Sequence, residues 1–449
     1  MRTRNSVSLS ALTARLFAVL LSAAFVTGCA SSYHSRQAEI QANWSLQAQY
    51  EAPSITIPNG DPVAECAGRR QQLAADLGRS GLVFLRAASM NGDERFFQSD
   101  DFWYLSNVDL PDVAMAMKLG EGGEILDEVL FLPEHSDRFE RWNGPRLEPG
   151  AESAAATGFM RTLPLPTNDD DFAEALGDLG AVGTLFALEE PQSGVPAWLT
   201  LDSDDTLRSS LHASRLKKSE YELECLQASI DITAAAIHQA LAEVTPGGHE
   251  YELQAAIDGT YLRLGSERPG FSSICAAGGN AVTLHYAKNR DRLIHGQLVL
   301  MDVGAKYRHY CADITRTVPI SGRFTSRQRE LYDLVLLAQS TAAEAARPGM
   351  TLRDLHAVGK AVLDDAGYGQ YFLHGLSHWL GLDVHDVGGR VPIQKGYVFT
   401  IEPGLYIADE QIGIRIEDDY LMTAEGAVKL SGAITSDPDA LEALLADLH

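Results

Sequence analysis

Short apolar runs of strand length alternate with helical patterns in the first half of the chain. Gly81 to Leu85, Val129 to Leu132 and Gly183 to Leu188 are strand-like runs, and helical patterns cover Arg69 to Leu77, Ser136 to Trp142 and Asp171 to Leu176. This alternation predicts an α/β domain of about 140 residues. Pro191, Gly194 and Pro196 then break the pattern, and the sequence places a domain boundary near residue 210.

Beyond it the pattern is longer and repeats. Ser219-Glu220-Tyr221-Glu222 is a capping box that starts a helix running to about Val244, stopped by Pro246-Gly247-Gly248. A second helix begins near His249, and strand-like runs follow at Phe271 to Ala276, Leu298 to Tyr307 and Tyr310 to Val318. The sequence then repeats the scheme. A helix over about Ser326 to Ala346 stops at Pro348-Gly349, Thr351 and Asp354 cap another to about Asp365, and strand runs come at Val398 to Ile401 and Gly413 to Met422. Pro246 precedes Asp302 by 56 residues and Pro348 precedes Glu402 by 54. The halves read as a duplication inside one domain, each ending in strands that carry two acids.

Those acids stand out because Asp is poor in strands. Asp302 interrupts Leu298-Val299-Leu300-Met301-Asp302-Val303, and Asp313 follows 11 residues later in a run a hairpin would lay beside the first. Neighbouring anions repel unless a cation or proton intervenes. One salt bridge per Asp, for instance to Arg316, is the plain alternative. Glu402 and Glu417 occupy a second pair of strand-like runs, and Arg415 shares a strand face with Glu417, where it would orient that carboxylate. Between the pairs, His374-Gly375-Leu376-Ser377-His378-Trp379-Leu380-Gly381-Leu382-Asp383-Val384-His385-Asp386 holds three histidines. Four carboxylates and one imidazole, His378, balance two divalent cations and suit hard metals.

Composition adds limits. The chain has 449 residues, 45% of them hydrophobic, enough for two cores. Its formal net charge of -25 disfavours nucleic acid and anionic lipid. Arg2, Arg4 and Arg15 precede an apolar run, Leu16 to Val26, too short to span a bilayer. The following Val26-Thr27-Gly28-Cys29 resembles a bacterial lipoprotein lipobox, which implies cleavage after residue 28 and lipidation of Cys29. Ala30 after the cysteine implies the periplasmic face of the outer membrane. Residues 29–58 read as the anchor and a polar tether, 59–210 as the first domain and 211–449 as the second. Loss of residues 1–28 removes three Arg and no acid, taking the charge to -28. Cys66, Cys225, Cys275 and Cys311 fit no disulfide framework or zinc spacing and read as buried thiols.

In order and local context, Asp302, Asp313, His378, Glu402 and Glu417 resemble the ligand set of the pita-bread metallopeptidases, which include methionine aminopeptidases, prolidases and Xaa-Pro aminopeptidases. The His374–Asp386 run is most similar to the Xaa-Pro aminopeptidase form. Arg69-Arg70 and Phe97-Gln98-Ser99-Asp100-Asp101-Phe102-Trp103-Tyr104-Leu105 resemble that group's amino-terminal domain. The resemblance implies an α/β amino-terminal domain before a pita-bread catalytic domain with an internal pseudo-two-fold axis. It also implies two divalent metals, expected to be Mn2+. Asp302 would bind one, Asp313 and Glu417 would bridge, and His378 and Glu402 would bind the other. A hydroxide between them would attack the scissile carbonyl, with Glu402 shuttling the proton and His385 stabilising the tetrahedral intermediate. His285, in Thr283-Leu284-His285-Tyr286, would contact substrate, His374 would line the proline pocket, and Arg415 and Tyr406 would support the ligands. One departure is Ile393-Gln394-Lys395-Gly396-Tyr397, where the family often has a Pro-Gly turn.

The implied substrates are peptides with proline in second position. Two other readings stay open: a prolidase that cuts only Xaa-Pro dipeptides, and an inactive periplasmic peptide-binding lipoprotein. The sequence leaves open whether the chain forms a homo-oligomer.

Overall fold

Six strands build the first sheet, in the order Arg161–Pro164, Ile125–Leu132, Ala114–Leu119, Gly81–Arg86, Gly183–Ala187 and Leu199–Leu201. The computed structural model describes residues 55–90, 95–180, 183–188 and 199–449; the expected leader, Cys29 and all but the end of the tether lie outside the described residues. Gly81–Arg86 pairs antiparallel with Ala114–Leu119 and parallel with Gly183–Ala187, so the sheet is mixed. Ala114–Leu119, Arg161–Pro164 and Leu199–Leu201 are strands that the apolar runs did not reveal. Ala114–Leu119 is short, rich in Ala and Met, and covered on both faces, so it shows no alternation.

One face of this sheet packs Leu82, Phe84, Ala116 and Phe131 against Phe172 and Leu176. The other packs Val83, Leu85, Met115 and Leu130 against Leu73, Phe102 and Leu211, and its core continues without a break into Tyr310, Cys311, Leu380 and Leu382. The helix Thr206–Leu216 spans the expected boundary near 210. Arg70 is fully buried and satisfied by Glu128 at 2.8 Å, Leu105 O at 2.8 Å and Gly158 O at 2.7 Å.

The second half is the expected duplication. Helices Glu220–Leu241 and Glu250–Arg263 lead to Leu298–Val303, flanked antiparallel by Ile274–Ala277 and Ile314–Pro319. Helices Ser326–Ala345 and Leu352–Asp365 lead to Val398–Ile401, paired with Asp418–Met422, and to the hairpin Gly404–Ile407/Ile412–Arg415. All four helices start in capping boxes, including Ser219 with Glu222 and Thr351 with Asp354. The two Pro-Gly stops are equivalent in detail. Gly247 at φ +96° donates its N–H to Leu293 O at 2.8 Å, and Gly349 at φ +95° donates to Ile393 O at 2.8 Å. A residue with a Cβ rarely adopts that backbone.

The long strand runs are interrupted. Leu298 to Tyr307 breaks at Gly304, Tyr310 to Val318 breaks at Ala312 and Asp313, and Gly413 to Met422 breaks at Ile416 and Glu417. Glu402 directly follows its strand. Three of the four acids thus sit where the backbone leaves the ladder, and only Asp302 is within a strand, opposite Thr315. Cys66, Cys225, Cys275 and Cys311 are free and buried.

Candidate active site

The breaks aim their side chains at one spot. His378 Nε2 lies 3.3 Å from Asp313 Oδ2, 3.5 Å from Glu402 Oε1 and 3.9 Å from Glu417 Oε1. His378 is held by backbone: its O accepts from Thr400 N at 3.0 Å, and Glu402 N donates to Leu376 O at 2.8 Å. Two backbone hydrogen bonds therefore tie loop to strand and hold the imidazole against Glu402. Asp313, His378 and Glu417 each offer a ligand atom within 4.8 Å of the others.

Asp302, from the same half as Asp313, lines the same cavity as these residues. Its Oδ2 accepts from Arg415 Nη2. Arg415 Nε also donates to Thr315 Oγ1 at 3.1 Å, whose hydroxyl donates to Glu417 Oε2 at 2.6 Å. Arg415 therefore touches Asp302 directly and reaches Glu417 through Thr315. Arg316, considered as a partner for the aspartates, turns away: it bonds Asp418 Oδ1 at 2.6 Å and Glu417 O at 2.7 Å.

Burial and like charge leave this cluster short of positive charge. Burial, then Glu417 and Asp302, push the Asp313 carboxyl well above its usual range. Burial and Glu417 do the same to Glu402, and burial with Asp302 lifts Glu417 to about 7. Asp302 Oδ1 and Asp313 Oδ1 are buried without a hydrogen-bond partner. Unsatisfied carboxylate oxygens converging beside an imidazole fit divalent cations with oxygen and nitrogen ligands.

The other expected residues surround this cluster. His374 Nδ1 lies 2.8 Å from Gly375 O and 3.5 Å from Glu402 Oε2, and its Nε2 lies 2.8 Å from the Tyr406 hydroxyl. A carbonyl only accepts, so Nδ1 carries the proton and the Tyr406 hydroxyl donates to Nε2. That oxygen in turn accepts from Arg415 Nη1 at 2.8 Å. Burial and Arg415 press His374 down to about 4, so it is neutral at physiological pH. The His385 ring meets His378 edge-on, 4.4 Å between centroids. His285 lines the same cavity, of about 670 Å³, with Phe271, Ile274, Leu284 and Val384 as apolar wall. Its segment is pinned by buried Glu250, which accepts from Ala277 N, Tyr286 OH and Asp291 N, each at 2.8 Å.

Three participants escaped the sequence reading. Thr315 links Arg415 to Glu417, and its signal was available, since it follows Asp313 by two residues in an alternating run. Asp418 and Asp419, which directly follow Glu417, are fully buried. Asp419 Oδ2 accepts from Asp313 N at 3.2 Å and so braces a predicted ligand. Nothing in the local pattern marked these acids as interior.

Known proteins agree with this geometry. Residues 224–424 match metallopeptidase family M24, and residues 66–181 match the aminopeptidase P N-terminal domain. Xaa-Pro aminopeptidase of Escherichia coli is 32% identical over 430 residues, covering 84% of this chain and 96% of its own. Xaa-Pro dipeptidase of Pyrococcus furiosus is 38% identical over 222 residues, covering 48% of this chain and 63% of its own. The structure of E. coli aminopeptidase P with the inhibitor Pro-Leu superposes with a TM-score of 0.77 at 30% identity, covering 86% of this chain and 98% of that one. Proline aminopeptidase P II from Yersinia pestis gives 0.76 at 32%, with coverage of 86% and 99%. A duplicated catalytic half, an acid-rich cleft between its hairpins and aminopeptidase matches over 84% and 86% of the chain lead to one assignment: the chain belongs to metallopeptidase family M24, with the pita-bread fold and the two-domain build of aminopeptidase P.

Proposed function

We propose that the protein is an Xaa-Pro aminopeptidase that removes the first residue from peptides with proline second, using two divalent cations, manganese in our reading. The observation that carries this is the meeting of Asp302, Asp313, His378, Glu402 and Glu417 in one cavity with two buried carboxylate oxygens unpartnered. Asp302 would hold one cation, Asp313 and Glu417 both, and His378 with Glu402 the other. When bound, such a pair supplies Lewis-acid polarisation of the scissile carbonyl and activation of water.

The chain's own groups do the rest. Glu402 takes the proton of the attacking water and returns it to the leaving proline nitrogen. That return is needed because the departing nitrogen must leave as an amine and not as an amide anion. His385 donates to the developing oxyanion from the wall beside His378. His374, neutral and fixed as its Nδ1–H tautomer by Gly375 and Tyr406, keeps a rigid ring beside Glu402. His285, which lines the same cavity, contacts the peptide. A cavity of about 670 Å³ holds a short peptide and excludes a folded chain.

A second reading is prolidase, favoured by the similarity to the dipeptidase relative, 38% identical over 222 residues. The test is residues 30–449 loaded with Mn2+ and given Gly-Pro-Ala beside Gly-Pro, with Asp313→Ala and Glu402→Ala as controls. Release of glycine from the tripeptide, lost in both variants, is the expected result. Cleavage of the dipeptide alone supports prolidase, and no cleavage of either ends both readings.

The same proposal tethers the protein to a membrane through lipidated Cys29. Cys29→Ala should move it from the membrane fraction to the soluble fraction of expressing cells. A wild-type protein found soluble would remove the anchor.

A further inference from the structure

His385 lies on a turn whose neighbouring residue is tied through Arg215 to the amino-terminal domain. The Asp386 side chain is 1% exposed, and its Oδ1 accepts from Arg215 Nη2 at 2.5 Å while its Oδ2 accepts from Lys218 Nζ at 3.5 Å. The other edge of the Arg215 guanidinium donates to Asp101 Oδ1 at 2.6 Å, in the helix Asp100–Ser106 of the amino-terminal domain. Asp100 faces Lys306 Nζ at 3.4 Å, and Lys306 donates to Leu382 O at 2.7 Å, in the same turn. Asp386 N also donates to Trp379 O at 3.0 Å. Asp100, Asp101 and Asp386 thus face Arg215, Lys218 and Lys306, a charge-balanced network of three and three. Gly381 lets it close, because a Cβ there would overlap the Asp386 carboxylate and come 2.9 Å from Lys218 Nζ.

We propose that Arg215, held by Asp101 of the amino-terminal domain, is a positioning residue for His385. The inference rests on the proposed peptidase reading for what His385 does. An arginine fork between two carboxylates fixes direction as well as distance. Asp386 is adjacent to His385 in the chain, so a shift of its carboxylate turns the backbone that aims the imidazole. The amino-terminal domain is then part of how the oxyanion donor is aimed, beyond packing against the catalytic half. The alternative is a network that only fastens the two domains together.

The test is a double-mutant cycle in the full-length, cation-loaded protein with Gly-Pro-Ala. Arg215→Lys should lower kcat about tenfold or more, since small misplacements of a catalytic group are costly. KM should change by less than about threefold. In a His385→Ala background, Arg215→Lys should lower kcat by no more than about twofold further. Independently of activity, the His385 Cε1–H resonance in histidine-labelled, cation-free protein, assigned with His385→Ala, should move in Arg215→Lys while that of distant His135 stays. Equal losses in both backgrounds, or a wild-type kcat with an unmoved His385 signal, overturn the proposal. Asp101→Asn serves if Arg215→Lys does not fold. A wild-type protein that cleaves no Xaa-Pro peptide ends the functional reading, and the His385 resonance still decides the positioning.

Discussion

Arg415 donates from Nη2 to Oδ2 of Asp302, joining strands from opposite halves of the duplicated domain. Both side chains are buried, and the same guanidinium reaches Tyr406 and Thr315. Removing one partner of a buried ion pair leaves the other charge unpaired, at a cost of roughly 3–5 kcal/mol. Arg415→Ala should therefore lose about that much in urea unfolding of cation-free protein. Asp302→Ala should lose less, because it also removes a carboxylate from a crowded acidic site.

The pH dependence of stability should change sign with cation. In cation-free protein, burial and Asp302 raise Glu417 from an ordinary 4.5 to about 7, and Asp313 and Glu402 are raised as well. Between those values the folded state holds a proton the unfolded chain has lost, so stability falls as pH rises from 4.5 to about 7. Bound cations need ionised carboxylates, so cation affinity should rise over the same window. Denaturant titrations at pH 5 and pH 7.5, with EDTA and with Mn2+, check both slopes.

Cation removal should also appear in the melting temperature. A ligand present at about 100 times its Kd stabilises the native state by about 2.7 kcal/mol. EDTA should lower Tm, and titrated Mn2+ should restore it. In Asp313→Ala the restoration should be lost, whatever the activity.

Tyr406→Phe removes the donor to His374 Nε2 and the acceptor of Arg415 Nη1 in one change. Two buried polar groups lose a partner, costing roughly 1–3 kcal/mol in stability. Without the hydroxyl the His374 tautomer is no longer fixed from the Nε2 side. A fall in kcat with little change in cation content, read by peptide assay and metal analysis, is expected.

Gly381→Ala should be destabilising although the change is one methyl group. The Cβ would overlap the Asp386 carboxylate beside Lys218. Overpacking of this kind costs about 1–3 kcal/mol. Chemical denaturation of the variant gives the figure, and a loss below that range would mean the turn relaxes.

Asp302 was legible because it breaks a local rule. An Asp inside Leu298-Val299-Leu300-Met301-Asp302-Val303 contradicts strand propensity, and such contradictions gather at functional sites. The Pro-Gly stops were legible for the opposite reason, since Gly247 and Gly349 obey the rule that positive φ favours glycine. Asp418 and Asp419 were not legible. An acid run looks solvated unless Arg316, Lys429 and Ser431 are known to surround it.

By itself the sequence determined the local terms: capped helices, apolar runs, a duplicated scheme with offsets of 56 and 54 residues, and five donors in a fixed order. Those follow from propensity and periodicity, which act over a few neighbours. Only the tertiary structure decided which charges meet. It gave Asp302 to Arg415 rather than Arg316, placed Thr315 between Arg415 and Glu417, and set Arg215 between Asp101 and Asp386. Such pairings join residues a hundred or more positions apart, and electrostatics depends on distance in space and burial, neither of which a linear pattern carries.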